Sequence, residues 1–70
     1  GLWELRVDPT SSLVGHTLAD AHLEFPVLAI WHQNQALFNP GGSARLEAED
    51  ILLVSCRSDH LEQVKAKGLR

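Results

Sequence analysis

Hydrophobic and polar residues alternate from the start of the chain. In Leu2–Val7, Trp3, Leu5 and Val7 share one side and Glu4 and Arg6 the other, the period-two pattern of a strand. The cluster Asp8-Pro9-Thr10-Ser11-Ser12 ends it as a turn. Leu13-Val14-Gly15 is a short apolar bend. Thr17 with Asp20 three residues on has the spacing of a capping box and predicts a helix of barely two turns, with Leu18, Ala21 and His22 facing inward. Phe25-Pro26 breaks the chain again. The run Val27 to Trp31 is almost unbroken apolar sequence and predicts a central strand buried on both faces. Gln33-Asn34-Gln35 is polar, and Asn34 tolerates positive φ, so a hairpin into Ala36-Leu37-Phe38 is expected.

Asn39-Pro40-Gly41-Gly42-Ser43 reads as a loop, and Glu47–Asp50 as a tight solvated turn. Ile51–Cys56 is a second buried strand, holding the single cysteine as a small buried side chain. Ser58 is expected to cap a helix with acidic residues in its first turn and Lys65 and Lys67 in its last. Leu61 and Val64 form its apolar stripe, and Gly68 suits the position just past its end. The order is β-α-β-β-β-α. The expected class is α+β: a two-layer sandwich, with a mixed sheet and the C-terminal helix on one face.

Seventy residues make one domain, 1–70, with a marginal core: such a chain buries roughly 60% of its unfolded surface. One cysteine allows no internal disulfide. The longest apolar run falls far short of the roughly 20 residues of a membrane span. The start, Gly1-Leu2-Trp3-Glu4, has no basic region of the kind that opens a signal peptide.

Six basic against nine acidic residues give a net charge of −3, and three of the six cations lie in the last six residues. Phosphate neutralisation needs a basic face, so no nucleic-acid partner is expected. Four histidines, if all protonated, would carry the charge from −3 to +1.

Catalysis finds no footing. No serine sits in a G-x-S-x-G elbow, Gly41-Gly42 leads into no phosphate loop, and Glu47, Glu49 and Asp50 read as solvated carboxylates. His16 and His22 are six apart, not at the spacing of a helical ligand pair, so no metal site is assigned. The chain is therefore expected not to be an enzyme. One helix with two or three apolar contacts cannot cover both faces of so apolar a sheet. The surplus points to a second apolar surface and a homodimer.

The run Val7-Asp8-Pro9-Thr10-Ser11-Ser12-Leu13-Val14-Gly15-His16-Thr17-Leu18 resembles the segment V-x-x-x-S-x-L-V-G-K-T-L of the C-terminal domain of regulators of potassium conductance (RCK), also called the TrkA-C domain. Val27-Leu28-Ala29-Ile30 is similar to its V-x-V-I-A-I strand. Asn39-Pro40 with Leu46, Asp50, Ile51, Leu52, Leu53 and Val54 resembles x-P-x-x-x-T-x-L-x-x-G-D-x-L-x-V, and Asp59–Val64 its terminal helix. The resemblance spans nearly the whole chain. Trp31-His32 stand where the family has Arg, Asn34 is nearest the usual hairpin Gly, and Glu49 replaces the Gly of G-D.

The resemblance implies a cytosolic regulatory, ligand-sensing and dimerising domain of a potassium channel or cation transporter, at the cytoplasmic face of the cell membrane and excised from a longer membrane transport protein. The membrane-embedded channel or transporter subunit would be its partner. A cyclic dinucleotide or a divalent cation at the dimer cleft would be its ligand. The candidate ligand-binding residues are Ile30, Trp31, His32, Asn39 and Pro40. The competing expectation is a purely structural assembly module that binds nothing.

Overall fold

The alternating segment at the N-terminus forms β1, Leu2–Arg6. In the computed structural model, which describes Gly1–Arg70, it is followed by the short helix α1 (Leu18–Ala21), β2 (Val27–His32), β3 (Gln35–Phe38), β4 (Ile51–Ser55), a 3-10 turn (Ser58–His60) and the helix α2 (Leu61–Lys65). The α+β class and the expected element order hold.

The four strands form one sheet in the order β1-β4-β2-β3. All three ladders are antiparallel, where a mixed sheet was expected. The connection from β3 to β4 carries the chain past β2, so β4 enters between β1 and β2. β2 and β4 are thus the central strands; the expectation of burial on both faces fails, because only one face carries a second layer and Val27, Trp31, Ile51 and Leu53 stay half-buried.

Register separates two faces. Leu5, Leu52, Ile30 and Leu37 lie in one row across the sheet. Leu5, Ile30, Leu52 and Val54 join Val7, Leu13, Ala21, Leu46, Val64 and Leu69 in the core. The second layer is therefore mostly connecting chain, supplied by Leu13, Ala21 and Leu46 as much as by α2. The expected C-terminal helix is only Leu61–Lys65. Ser58 does not cap it: no side chain caps either turn, and the Ser58 carbonyl accepts from Leu61 N–H. Thr17 does cap α1, its hydroxyl accepting from Asp20 N–H at 3.2 Å. His22 is the exposed left-handed residue that ends α1, not an inward-facing one.

Positive φ marks the tight turns. Gln33 (φ 49°) and Asn34 (φ 67°) form the two-residue β2–β3 loop, whose paired left-handed residues match strand twist. Glu49 sits at φ 72°, where the family pattern has Gly. Gly68, at φ 81°, ends α2 beside Ser11. The Ser11 hydroxyl donates to Lys67 O at 2.5 Å and accepts from Leu13 N–H at 3.1 Å, which ties the helix end to the bend after β1. Arg6 and Arg70 exchange backbone hydrogen bonds, and Leu69 bridges to Val7, so the C-terminus covers the end of β1.

Candidate functional site

The face of the sheet turned away from the core is apolar in its middle. Two rows cross it: Arg6, Ile51, Trp31, Ala36 and Glu4, Leu53, Ala29, Phe38. Ala29 is buried yet lies outside the core cluster, beneath its larger neighbours on this face. Phe38 is 68% exposed and Leu2, at one end of the face, 64%. Trp31 meets Phe38 edge to face, with ring centroids 6.0 Å apart. No helix packs on this side. Trp31, Phe38, Ile51 and Leu53 are therefore left without a second layer over them.

The five candidate residues divide between positions around the β2–β3 hairpin. Ile30 points into the core and is 4% exposed, so its side chain supports the strand from below. Trp31 is half-buried on the outer face. Asn39, with φ 50°, donates its N–H to Leu28 O at 2.9 Å, at the far end of β2 from His32. Pro40 follows it and is half-buried. Trp31 is joined to Asn39-Pro40 through Phe38, a residue that pattern reading placed only in a strand. The hairpin register around Gln33-Asn34 sets Phe38 opposite Ala29, diagonal to Trp31, and that register was the signal for it.

His32 lies at the other end, beside an open groove lined by Trp31, Arg6, Asn34, Glu49 and Asp50. Its Nδ1 is 2.5 Å from Asp50 Oδ1. The Asp50 side chain is 3% exposed, and its Oδ2 accepts Glu47 N–H at 2.9 Å. The expectation of a wholly solvated Glu47–Asp50 turn is thus corrected: Asp50 folds inward to close its own turn. The β2–β4 register brings it opposite His32, one step beyond Trp31 and Ile51. Nothing local in the sequence signals a pairing across 18 positions. Glu49 stays outside and pairs with Arg6 at 3.3 Å.

No group of three or more His, Cys, Asp or Glu is placed to hold a metal. Cys56 is buried, and its carbonyl accepts from Trp3 Nε1 at 3.1 Å and from the N-terminal amine at 3.0 Å. No helix is long and apolar enough to cross a membrane.

The fold is shared with solved structures. It is similar to the RCK_C domain dimer of S. agalactiae BusR in complex with c-di-AMP, with a TM-score of 0.87, 18% identity and coverage of 94% of this chain and 92% of that one. It is also similar to S. agalactiae BusR in complex with its busAB-promotor DNA, with a TM-score of 0.85, 18% identity and coverage of 94% of this chain but 34% of that one. This chain thus spans about a third of the DNA-bound protein. No curated protein sequence matches.

The second likeness corrects the expectation of no nucleic-acid partner. A protein carrying this fold is found with promoter DNA. The −3 balance describes 70 residues, and phosphate contacts are a local matter that the rest of a longer chain can supply. The TrkA-C domain profile matches residues 2–67, nearly the whole chain. The chain belongs to the TrkA-C domain family.

Proposed function

We propose that this domain is a ligand-sensing dimerisation module, non-catalytic like the TrkA-C family it belongs to. Two copies pair through the outer sheet face, and a cyclic dinucleotide bound near the β2–β3 hairpin favours one pairing geometry. A ligand shifts such an equilibrium only by its difference in affinity for the two geometries. The observation that carries the reading is the uncovered apolar face around Trp31 and Phe38. The likeness to a domain dimer holding c-di-AMP supports it.

Within this reading Trp31 offers an aromatic surface to a base, and His32 and Asn39 offer polar contacts. Pro40 shapes the loop, and Ile30 holds the strand in place from the core. The domain sits within a longer membrane transport protein, on the cytoplasmic face, and its pairing controls a potassium channel or cation transporter. A second reading, control of a promoter-binding segment, is favoured by the likeness to DNA-bound BusR.

A thermal-shift titration tests the sensor, with c-di-AMP in one arm and divalent cations in the other. Ligand at a hundred times its dissociation constant adds roughly 2.7 kcal/mol, a rise on the order of 10–20 °C for a domain of this size. A response to divalent cations alone would replace the dinucleotide. No response to either, from a protein that still dimerises, would leave the purely structural assembly module.

A further inference from the structure

We infer that Asp50 is a positioning residue that locks His32 in the Nδ1–H tautomer, leaving Nε2 as a fixed acceptor for an aromatic amino group at the groove that His32 and Trp31 both line. An ionised carboxylate only accepts hydrogen bonds. Asp50 Oδ1 lies 2.5 Å from His32 Nδ1, so the ring proton belongs on Nδ1. In the neutral ring this leaves Nε2 with its lone pair free. Nδ1 and Nε2 point to opposite sides of the ring, so Nε2 is aimed away from the buried carboxylate.

The support behind the ring is rigid. Asp50 is 2% exposed, and its second oxygen is spent on Glu47 N–H at 2.9 Å. The carboxylate therefore cannot rotate away without opening its own turn. The His32 side chain, by contrast, is 49% exposed. One half of the pair is built into the fold, and the other half faces solvent.

The groove walls narrow the class of ligand. Trp31 supplies an aromatic surface, and Arg6 is already matched by Glu49 at 3.3 Å. Asp50 is likewise matched, by His32 and by Glu47 N–H, so the groove offers no unpaired cation. A phosphate is disfavoured there, whereas an uncharged base carrying N–H donors fits. Six-amino purines have that chemistry: a flat ring for Trp31 and an amino group for Nε2. The ligand part of the inference rests on the dinucleotide reading; the tautomer part does not.

Two readouts test it on the 70-residue domain. Nitrogen-15 NMR of the His32 ring, at a pH where histidine is neutral, reports the tautomer directly in the wild type without a ligand. The Nδ1–H form is expected; the Nε2–H form, or an even mixture, would overturn the inference. Asp50→Asn keeps the shape but turns an amide N–H₂ toward Nδ1 while its oxygen still serves Glu47. The tautomer should then flip to Nε2–H, as replacing a tautomer-fixing Asp by Asn does elsewhere. Binding of c-di-AMP should weaken about tenfold with the fold retained, the scale of one lost hydrogen bond. Wild-type binding that Asp50→Asn leaves unchanged despite a flipped ring would overturn the ligand part. If c-di-AMP fails to bind the wild type at all, the dinucleotide reading and the ligand part fall together, and the ring spectrum alone decides the pair.

Discussion

Trp31 and Phe38 meet edge to face across the β2–β3 hairpin, their centroids 6.0 Å apart and their planes at 81°. They are diagonal neighbours on the face that no helix covers, and Phe38 lies on β3, whose far edge is unpaired. Edge strands with exposed apolar side chains are pairing surfaces unless something blunts them. Here β3 has no charge, and all four of its residues are exposed.

Phe38→Asp should therefore weaken self-association and leave the fold intact, because Phe38 is 68% exposed. An aromatic anchor of an interface contributes about 2 kcal/mol or more, so the dimer constant should weaken roughly thirtyfold or beyond. Ile30→Asp separates the two faces: one strand position away, it should unfold the domain, since Ile30 is 4% exposed and in the core. Sedimentation and far-ultraviolet circular dichroism on both variants check the contrast.

Gly68→Ala should cost about 3 kcal/mol or more. A methyl group there would lie 2.5 Å from Ser11 Cβ and 2.7 Å from its Cα, and φ is 81°. Left-handed backbone and overpacking each contribute on the order of 1–3 kcal/mol. A domain of this size holds about 4–10 kcal/mol in all. Urea denaturation measures the loss, and a shift of less than half a kilocalorie would refute the close approach.

The hairpin is improvable. Gln33 and Asn34 occupy the two left-handed positions of the β2–β3 loop. Asn-Gly is the preferred pair for such a loop. The double variant Gln33→Asn, Asn34→Gly should raise stability by about 1 kcal/mol, read as a higher melting temperature with no change in dimer fraction.

Asp8 makes part of the stability depend on pH. Thr10 N–H and the Thr10 hydroxyl donate to its carboxylate at 2.9 and 2.8 Å, and Arg70 lies at 3.0 Å. The Thr10 hydrogen bonds, with Arg70 adding to them, hold the carboxyl below its ordinary value of 3.8. The folded state favours the anion, so this contribution is complete above the unfolded value and is lost as pH falls through the folded one. Melting curves from about pH 5 to about pH 2 should show Asp8→Asn less stable than wild type at the upper end and converging with it at the lower. A gap that stays constant across the range would contradict the assignment.

Strand positions were readable from alternation in Leu2–Val7 and from the apolar runs that became β2 and β4, because period-two burial is a local property. The Gln33-Asn34 turn and the Gly68 stop were readable for the same reason: each depends on one or two φ values. The order β1-β4-β2-β3 was not, since it follows from how the β3–β4 connection crosses the sheet. The His32–Asp50 pair depends on that order and stayed hidden with it. Of the candidate site, Trp31 and the Asn39-Pro40 loop were placed by resemblance. Phe38, which joins them, emerged only from the hairpin register.

Sedimentation equilibrium of the 70-residue domain at micromolar concentration, without and with c-di-AMP, addresses the sensing dimer most directly. The expected result is a species of twice 7.7 kDa whose dissociation constant falls when the dinucleotide is added. A 7.7 kDa monomer that ignores the dinucleotide would contradict it.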